Sequence, residues 1–420
     1  MVRKRNLLKR YLDFSVIYKI AIGFFLGIIA GVTVGPAISI IEPLGHLFIR
    51  MLKMIAMPLI FFTLVLGSSH LNLKKFGKIG GEIILFYCLT SLIAACIGLL
   101  MALLIQPGLG LSLEGVAFTS TAPPSLIDTM LSWVPENPFK ALASYWILPT
   151  IIFSLSFGLS LSYLKTSKDR HNREISTTLV SVFEACSEVI FKIVRLVLEI
   201  APYGVFALIA VNIGGKGLGI FFHFGKLLAT DYLACVTHII LVYGGLLMLF
   251  RISPIKFFNG AKDAMLTAYV TRTTAGSLPV SMKCANDNLG IKKEIYSFSL
   301  PLGATINMDG SSLHMMVVAV MAANMAGYQL TLPEILILIL TVIMASVGTA
   351  ALPSATLIML VGVLSSVGLP LEIIGLIAGV DVISDMMRTL TNVTGDLACT
   401  SIVSKINGAI DTKVGVWAKE

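Results

Sequence analysis

The segment TRTTAGSLP (271–279) interrupts a long apolar stretch at 257–290, and SVGTAALPSAT (346–356) interrupts a second one at 331–366. Both segments are rich in small and hydroxyl residues and contain a Leu-Pro step, so helix propensity falls and backbone polar groups are left free. Irregular backbone at membrane depth is tolerated only where it is buried in protein or lines a watery cavity. We therefore expect these two segments to decide the architecture of the chain.

The composition is that of a membrane protein. Charged residues make up 13% of the 420 residues, about half the usual ~25% of soluble chains, whereas hydrophobic residues reach 56%. A soluble fold is excluded, and so is a membrane β-barrel, whose strands alternate over about ten residues. Eight apolar runs can each cross a ~30 Å hydrocarbon core as a helix. They lie near 15–41, 43–69, 79–106, 140–164, 188–213, 228–250, 295–326 and 370–403.

The loops between these runs differ in charge. Lysine and arginine cluster at 3–10, 74–78, 165–173 and 251–256, and the intervening loops are poor in them. Because basic residues are retained in the cytoplasm, this alternation predicts a multi-pass protein of the cell membrane with cytoplasmic N- and C-termini. The net charge of +8 is therefore read as a topology signal, and no nucleic-acid partner is expected.

The stretches 257–290 and 331–366 break this alternation in opposite ways. The first has basic residues on both flanks, whereas the second has none on either flank. Parity then requires each stretch to enter the membrane and to return on the same side. We predict an all-α polytopic membrane protein with eight transmembrane helices plus two re-entrant helical hairpins, related as inverted repeats. The alternative, two proline-kinked spans, violates the charge pattern twice.

The last helix reads DVISDMMRTLTNVTGDLACT (381–400) and carries a polar stripe. At ~100° per residue its members fall within an arc of roughly 80° on one face. A charge at the bilayer centre costs about 2.5–3.5 kcal/mol on insertion scales, so the stripe is expected to face a polar cavity. The alternative is an internal ion-pair network that only packs helices. The stripe consists of Asp381, Asp385, Arg388, Asn392 and Asp396.

These side chains suggest an amino acid with an acidic side chain as the ligand. Arg388 offers a planar fork suited to a carboxylate, and Asp385, one turn earlier, can hold an ammonium group. Asp381 lies two turns before Arg388 and could orient its guanidinium. Asn392 and Asp396 supply hard oxygen ligands for a small cation.

The preceding span contains PLGATINMDGSS (301–312). Asn307 and Asp309 are two residues apart, about 200° on a regular helix, so both face one site only if the helix unwinds there. Gly303 and Gly310 are expected to ease this unwinding. Free backbone carbonyls beside Asn and Asp oxygens would form a hard-cation site.

These motifs resemble the dicarboxylate/amino acid:cation symporters, which include the glutamate and aspartate transporters. The resemblance covers nearly the whole chain. Its most specific parts are NMDG (307–310) and DMMRTLTNVTGD (385–396), supported by PLGHLFIRMLKMIAMPLIFFTLVLG (43–67), ENPFKALASYWILPT (136–150) and APYGVFALIA (201–210).

The resemblance implies an elevator-type homotrimer that carries an acidic amino acid with more than one sodium ion. A rigid scaffold would comprise 1–78 and 136–225. A mobile transport domain would comprise the third helix with its following loop, 79–135, and 226–420.

The resemblance also implies ligand sets. The substrate set is Arg272, Thr273, Thr274, Ser311, Leu352, Asp385, Arg388, Thr389 and Asn392. One sodium set is Gly303, Asn307, Asn392 and Asp396, a second is Thr305, Met308, Ser346, Val347 and Thr349, and a third is Tyr87, Thr90, Ser91, Asn307 and Asp309.

Some positions depart from the family pattern. Ser311 replaces a usual threonine, and Ala351 and Thr356 stand where glycines are common. Relatives that also carry protons have a glutamate at the position of Met315, so proton and potassium coupling are not expected. Retention of Asp396 favours sodium.

The histidines and cysteines are expected to have structural roles. His314 is expected to pack or to form hydrogen bonds rather than to act as a protonation switch. The other five histidines lie near helix or loop ends and show no ligand spacing. The six cysteines have no zinc spacing and are expected to be small packing residues.

Other functions remain open. A C4-dicarboxylate or a neutral amino acid could replace the acidic amino acid as substrate. An intramembrane aspartyl protease could use Asp309 and Asp385, although Arg388 would keep Asp385 ionised. An anion channel could use Arg388 as a filter. The expected class is a transporter and not an enzyme.

Overall fold

The computed structural model describes residues 16–69, 73–111, 131, 134–144, 146–216, 219–349 and 353–418. Within this part of the chain the secondary structure is helical, apart from an isolated antiparallel bridge between Ile291 and Ile410. The predicted all-α class is confirmed. The main helices are α1 Val16–Val34, α2 Glu42–Ser69, α3 Leu73–Ile105, α4 Ile147–Lys165, α5 Arg170–Lys216, α6 Ile220–Thr237 continued by a π-helical turn His238–Tyr243 and by Gly244–Leu249, α7 Pro254–Thr271, α8 Thr274–Lys283, α9 Lys293–Ile306, α10 Asp309–Met325, α11 Leu332–Val347, α12 Ala355–Ser366, α13 Glu372–Ile377 and α14 Asp381–Ile406.

Five helical stretches of the described chain are long and apolar enough to cross a bilayer. They are Tyr18–Ser69, Gly77–Ile105, Arg170–Gly215, Phe221–Leu249 and Lys293–Met325. Tyr18–Ser69 contains the first two predicted runs, so these stretches account for all the predicted runs except 140–164 and 370–403. Those two correspond to α4 and to α13 with α14. A multi-pass membrane protein is confirmed, whereas the number of spans stays a prediction.

Helix α5 is longer than the apolar run that predicted it. The run at 188–213 is only the C-terminal part of a helix that begins at Arg170 and has 47 residues. At 1.5 Å per residue α5 is ~70 Å long, more than twice the hydrocarbon thickness. The hydropathy criterion misses its first turns because they are charged, and charged residues such as Arg, Lys and Glu are good helix formers.

The two predicted hairpin stretches each form a pair of packed helices, α7 with α8 and α11 with α12. The first pair is interrupted only at Arg272 and Thr273, where Arg272 has a left-handed backbone (φ 54°) and Thr273 accepts a hydrogen bond from the Gly276 backbone N–H. The break expected within 271–279 therefore lies at Arg272 and Thr273, whereas 274–279 is helical. The second pair is separated by 348–354, of which 350–352 lie outside the described residues.

Close packing of α1 on α5 is set by a glycine stripe. Gly23, Gly27 and Gly31 recur every four residues, and a Cβ on each would lie 2.4–2.8 Å from a backbone carbonyl oxygen of α5. Small residues at this spacing allow helices in a membrane to approach closely.

Helix α10 lies at the centre of the molecule. Each of its residues except Asn324 is buried, which is unusual for a single helix and means that neighbours surround it. One hydrophobic core joins it to α1–α6 and α11–α13, and a second core joins it through Leu313 to α3, α6–α9 and α14. The predicted division into a scaffold and a mobile domain stays a prediction.

Candidate functional site

The break between α9 and α10 supplies the first part of the site. Asn307 and Met308 leave the helical conformation, with φ/ψ of −99°/80° and −112°/53°, and α10 starts at Asp309. The predicted unwinding is confirmed. Because the positive end of the α10 dipole lies at Asp309, a carboxylate there is electrostatically favoured.

The two glycines flanking this break have a contact role in addition to the one expected. Gly303 and Gly310 lie within the helices on either side of the break, and their easing of the unwinding stays a prediction. A Cβ on Gly310 would lie 2.3 Å from the Arg388 carbonyl oxygen, and one on Gly303 would lie 2.4 Å from Asp396 Oδ1. The glycines therefore let α14 contact α9 and α10 closely.

The polar stripe of α14 is buried in the protein. All five of its members are at most 5% exposed, although they include four ionisable groups. The stripe was predicted to face a polar cavity, and two of its members, Asp385 and Asn392, line one. Burial of this many charges requires that they be paired with each other or with ligands.

Arg388 is the centre of an ionic cluster. Its Nη2 donates to Asp381 Oδ1 at 2.6 Å and to Asp385 Oδ1 at 3.0 Å. Arg272 Nη1, from the α7–α8 break, lies 3.6 Å from Asp385 Oδ2, which also accepts a hydrogen bond from the Ser354 backbone N–H at 3.1 Å. Two arginines and two aspartates thus balance each other in charge.

This cluster leaves hydrogen-bonding capacity unused. Arg388 Nε and Nη1, Arg272 Nη1 and Asp381 Oδ2 are buried and have no hydrogen-bond partner within the described part of the chain. Buried unpaired donors are costly, and a carboxylate is the group whose oxygens match the guanidinium fork. The residues present therefore fit an anionic ligand.

A small cavity of about 10 Å³ lies beside the ionic cluster, which is room for about one water. An amino acid enters this space only if a neighbouring segment moves. Seven members of the predicted substrate set are brought together around it, whereas Arg388 is not among its lining residues and Leu352 is outside the described residues. The lining residues are Arg272, Thr273, Thr274, Met308, Ser311, Thr349, Thr356, Asp385, Thr389 and Asn392.

The first predicted sodium set is largely assembled. Asn307 Nδ2 donates to Asp396 Oδ1 at 2.9 Å, and Gly303 packs against the same carboxylate. Asn392, however, is used otherwise, because its Oδ1 accepts from the Gly310 backbone N–H at 2.7 Å. Asn392 therefore links α14 to the start of α10, and its Nδ2 donates to Met308 Sδ at 3.2 Å.

The third predicted set is assembled around Asp309, except for one member. Ser91 donates to Asp309 Oδ1 at 2.6 Å, and Thr90 Oγ1 lies 3.4 Å from Asn307 Oδ1. Tyr87 is not part of this group, since its hydroxyl donates to the Ser299 carbonyl at 3.0 Å.

The second predicted set, which the resemblance implies would bind mostly through backbone oxygens, stays a prediction. The hydroxyls of Thr305, Ser346 and Thr349 each donate to a carbonyl of their own helix or its C-terminal end. Thr305, Val347 and Thr349 line one larger cavity, and Met308 and Thr349 line the small one. Within the described residues no cluster of three or more His, Cys, Asp or Glu side chains could hold a metal ion, so any cation here would be bound mainly by neutral oxygens.

Sequence reasoning missed two residues that contact Asp309. Tyr243 donates to Asp309 Oδ2 at 2.7 Å, and His238 Nε2 lies 3.3 Å from the same oxygen. The two residues are five apart, which is ~140° around an α-helix, but they bound the π-helical turn of α6. An i→i+5 turn brings such residues to the same face, and no sequence signal marked it.

The comparisons with known proteins agree with this geometry. The model of the sodium:dicarboxylate symporter family matches residues 16–406. The chain belongs to this family. Its recognition from NMDG and DMMRTLTNVTGD is confirmed, and membership identifies a transporter.

Relatives match over nearly their full length. A proton/sodium-glutamate symport protein of Geobacillus stearothermophilus is 32% identical over 412 residues, 95% of this chain and 96% of that one. A proton/glutamate-aspartate symporter of Escherichia coli (strain K12) is 32% identical over 423 residues, which cover 96% of this chain and 95% of that one. A C4-dicarboxylate transport protein of Solibacter usitatus is 31% identical over 415 residues, 96% and 94%.

Proposed function

We propose that this family member is a sodium-coupled symporter that carries an acidic amino acid, L-aspartate or L-glutamate, into the cell. The observation that carries the proposal is the buried cluster of Arg388, Asp385, Asp381 and Arg272 with two unused donors on Arg388. Two of the relatives are named as symporters of glutamate or of glutamate and aspartate, which supports the proposal.

Substrate binding would exchange partners within this cluster. The side-chain carboxylate of the amino acid replaces Asp385 on Arg388, and Asp385 then accepts the substrate ammonium group. Asp381, at 2.6 Å from Arg388, keeps the guanidinium oriented during the exchange. Because each charge keeps a partner, the exchange avoids the cost of an unpaired buried ion.

The charge balance explains why a cation is needed. The two arginines and two aspartates sum to zero, and an acidic amino acid adds one net negative charge. Asp396 and Asp309 are also buried, at 3% and 0% exposure, and no lysine or arginine pairs with either among the described ion pairs. Sodium ions near Asn307, Asp309 and Asp396 would neutralise this excess, so sodium and substrate should each tighten the other's binding.

A cavity supports movement of one part of the molecule against another. It has a volume of about 600 Å³ and separates α2 and α5 from α8, α9 and the end of α11. Thr349, just after the end of α11, lines both this cavity and the small one, so the two spaces are adjacent. In the elevator scheme α1, α2, α4 and α5 form the scaffold of a homotrimer, and the remaining helices move with the substrate past it.

A second candidate is a C4-dicarboxylate symporter. The presence of two arginines near the small cavity, Arg272 and Arg388, favours it, because a dicarboxylate has two anionic groups. It leaves Asp385 without an ammonium partner, which is the reason that the amino acid is preferred here. The protease alternative is not supported, because Asp309 and Asp385 each have their own partners and do not pair with each other.

The test is uptake of labelled aspartate into proteoliposomes with and without an inward sodium gradient. We expect sodium-dependent uptake that glutamate or unlabelled aspartate inhibits more strongly than succinate. Arg388→Gln should abolish it. Arg170→Gln is the matched control, since Arg170 is exposed and forms only a surface pair with Glu174. Uptake that succinate inhibits as well as aspartate does would favour the second candidate, and uptake independent of sodium would refute the coupling.

A further inference from the structure

The segment after α14 lies across the base of the α7–α8 hairpin, at the end far from the hairpin tip. This segment, residues 409–418, is named the C-terminal strap. Its backbone is bonded in both directions to the chain that follows α8. Asp411 N–H donates to the Gly290 carbonyl at 2.8 Å, and Lys292 N–H donates to the Ala409 carbonyl at 3.0 Å. These two bonds flank the isolated antiparallel bridge of the fold, so the strap is docked in a fixed register.

The end of the strap is held by a tryptophan. Trp417 belongs to a short 3-10 turn that starts at Gly415, and its Nε1 donates to the Leu289 carbonyl at 2.8 Å. Trp417 and Val416 also pack against the hydrophobic core that contains α7 and α8. Because a packed indole needs a partner for its N–H, this hydrogen bond fixes where the strap ends.

Two glycines bring the backbone of the strap close to the turn after α8. Gly415 has a φ of 58°, and a Cβ there would collide with the Asn288 carbonyl oxygen. Gly290 has a φ of 59°, and a Cβ there would collide with the Asp411 carbonyl oxygen. A side chain at either position would therefore be strained as well as obstructed. The strap and this turn are packed as parts of one unit.

The same unit is fastened to α7. Asn288 Nδ2 donates to the Gly260 carbonyl at 2.9 Å. A Cβ on Gly260 would lie 2.6 Å from Leu289 Cδ2 and 3.4 Å from Val416 Cγ1, so both the turn and the strap contact α7 at this point. Helix α7 also packs on α14, from which the strap extends. The base of α7 is thus held by α14 and by the strap together.

Helix α7 carries a residue of the ionic cluster at its other end. Gly260 and Arg272 are twelve residues apart, which is ~18 Å along a helix at ~1.5 Å per residue. Over that length a tilt of ~3° at the base would move Arg272 by ~1 Å. Arg272 Nη1 lies 3.6 Å from Asp385 Oδ2, so a shift of this size would separate the pair. A small movement at the strap therefore becomes a decisive one at the substrate site.

We propose that the C-terminal strap positions Arg272 for substrate binding by fixing the base of the α7–α8 hairpin. The proposal rests on the proposed function, because it requires Asp385 to receive the ammonium group of an acidic amino acid. With the strap docked, Arg272 keeps Asp385 in place. With the strap released, α7 takes several positions, and only part of the molecules bind substrate well. Trp417 is a positioning residue, since it acts through Leu289 and α7.

The first measurement is a double-mutant cycle on L-aspartate affinity at saturating sodium. Trp417→Ala should weaken the affinity by roughly five- to tenfold, as for a binding-competent state populated in about 10–20% of molecules. In an Arg272→Ala background the same change should have no further effect, because no guanidinium is left to position. Equal losses in both backgrounds, or no loss in the wild-type background, would refute the proposal. A strap that only stabilises the fold would give equal losses.

The second measurement is hydrogen–deuterium exchange without substrate, on the wild type and on a chain that stops after Gly408. Exchange at 284–292 should become faster in the shortened chain, because Lys292 N–H loses its acceptor, the Ala409 carbonyl. Exchange at the hairpin tip, 272–277, should rise with it, whereas α1 should stay unchanged. Acceleration confined to 284–292 would mean that the strap protects only the turn, and it would overturn the proposal.

Two further variants complete the experiment. Lys413→Ala is the matched control, since Lys413 lies in the strap with an exposed side chain, and it should keep the wild-type affinity and exchange. A loss as large as that of Trp417→Ala would count against the proposal. If Trp417→Ala or the shortened chain does not fold, Trp417→Phe keeps an aromatic ring and removes only the hydrogen bond to Leu289.

Trp417→Phe should then weaken aspartate binding and accelerate exchange at the tip, both less than Trp417→Ala would. Wild-type values in both measurements would refute the proposal. The exchange measurement needs no substrate, so the two proposals fail separately. A wild type that binds no aspartate in the presence of sodium would refute the proposed function, whatever the strap does to the hairpin.

Discussion

Replacement of Gly303 by alanine tests the role of Asp396 in sodium binding. Gly303 lies in α9 with no room for a side chain, because a Cβ would lie 2.4 Å from Asp396 Oδ1 and 2.6 Å from the Tyr87 hydroxyl. Ordinary contact starts at 3.4 Å, so the carboxylate must move by about 1 Å or the helices must separate. Either change would disturb the 2.9 Å hydrogen bond from Asn307 to Asp396.

The size of the effect follows from the packing. One added methyl group in a well-packed interior costs ~1–3 kcal/mol. If the methyl group raises the free energy of the sodium-bound state alone, sodium affinity falls by roughly 5–150-fold. The Arg388 cluster is not touched, so aspartate binding should recover when sodium is raised.

The assay is a titration of aspartate affinity against sodium concentration for wild-type protein and Gly303→Ala. The expected curve for the variant is displaced to higher sodium and reaches the wild-type affinity at its plateau. Gly245→Ala is the matched control, because Gly245 is also a helical glycine, in the continuation of α6, but has nothing within 4 Å of its Cβ position.

Two results would refute this reasoning. An unchanged sodium curve for Gly303→Ala would mean that Asp396 does not bind the coupling ion. A plateau affinity lowered by the same factor at every sodium concentration would mean that the methyl group disturbs the substrate site instead.

The remaining predictions concern the substrate, the second carboxylate and the fold. Asp385→Asn should weaken aspartate binding but not succinate binding, measured by competition, because only the amino acid uses this carboxylate; equal losses would contradict the assignment. Tyr243→Phe removes a 2.7 Å hydrogen bond to Asp309, worth ~1.5–3 kcal/mol for a charged acceptor, and should change sodium affinity by at least about tenfold in a sodium titration, while an unchanged value would exclude Asp309 from the ion site. Gly27→Leu should lower the thermal unfolding midpoint in detergent, since a Cβ there would lie 2.8 Å from the Phe206 carbonyl, and a midpoint equal to that of the wild type would refute the tight packing of α1 on α5.

Local patterns in the sequence were sufficient for the class of the protein and for much of the site. Apolar runs predicted the membrane helices because a segment in lipid must satisfy all of its own backbone hydrogen bonds, and the α-helix does so within one segment. The stripe of α14 was predictable for the same kind of reason, since a spacing of three and four residues repeats on one helix face whatever the neighbours are. The break at Asn307 and Met308 was predictable because two hard-oxygen residues two apart cannot share a face of a regular helix.

Other features depended on which helices meet and how closely. The sequence suggested that Gly303 and Gly310 loosen a helix, and only the fold shows that they are also contact points for α14. The 47 residues of α5 exceed its apolar run because helix formation and membrane insertion obey different preferences.

The polar partners that come from different helices were decided by the tertiary structure alone. Asp231 of α6, His314 of α10 and Ser384 of α14 are isolated polar residues in the sequence, but their side chains hydrogen-bond to one another in the fold. Tyr243 and His238 reach Asp309 because a π-helical turn rotates one residue relative to the other. The physical reason is that the periodicity of a helix depends only on residues close together in the sequence. A buried charge, in contrast, is paired with a group tens or hundreds of residues away, through packing that no single segment specifies.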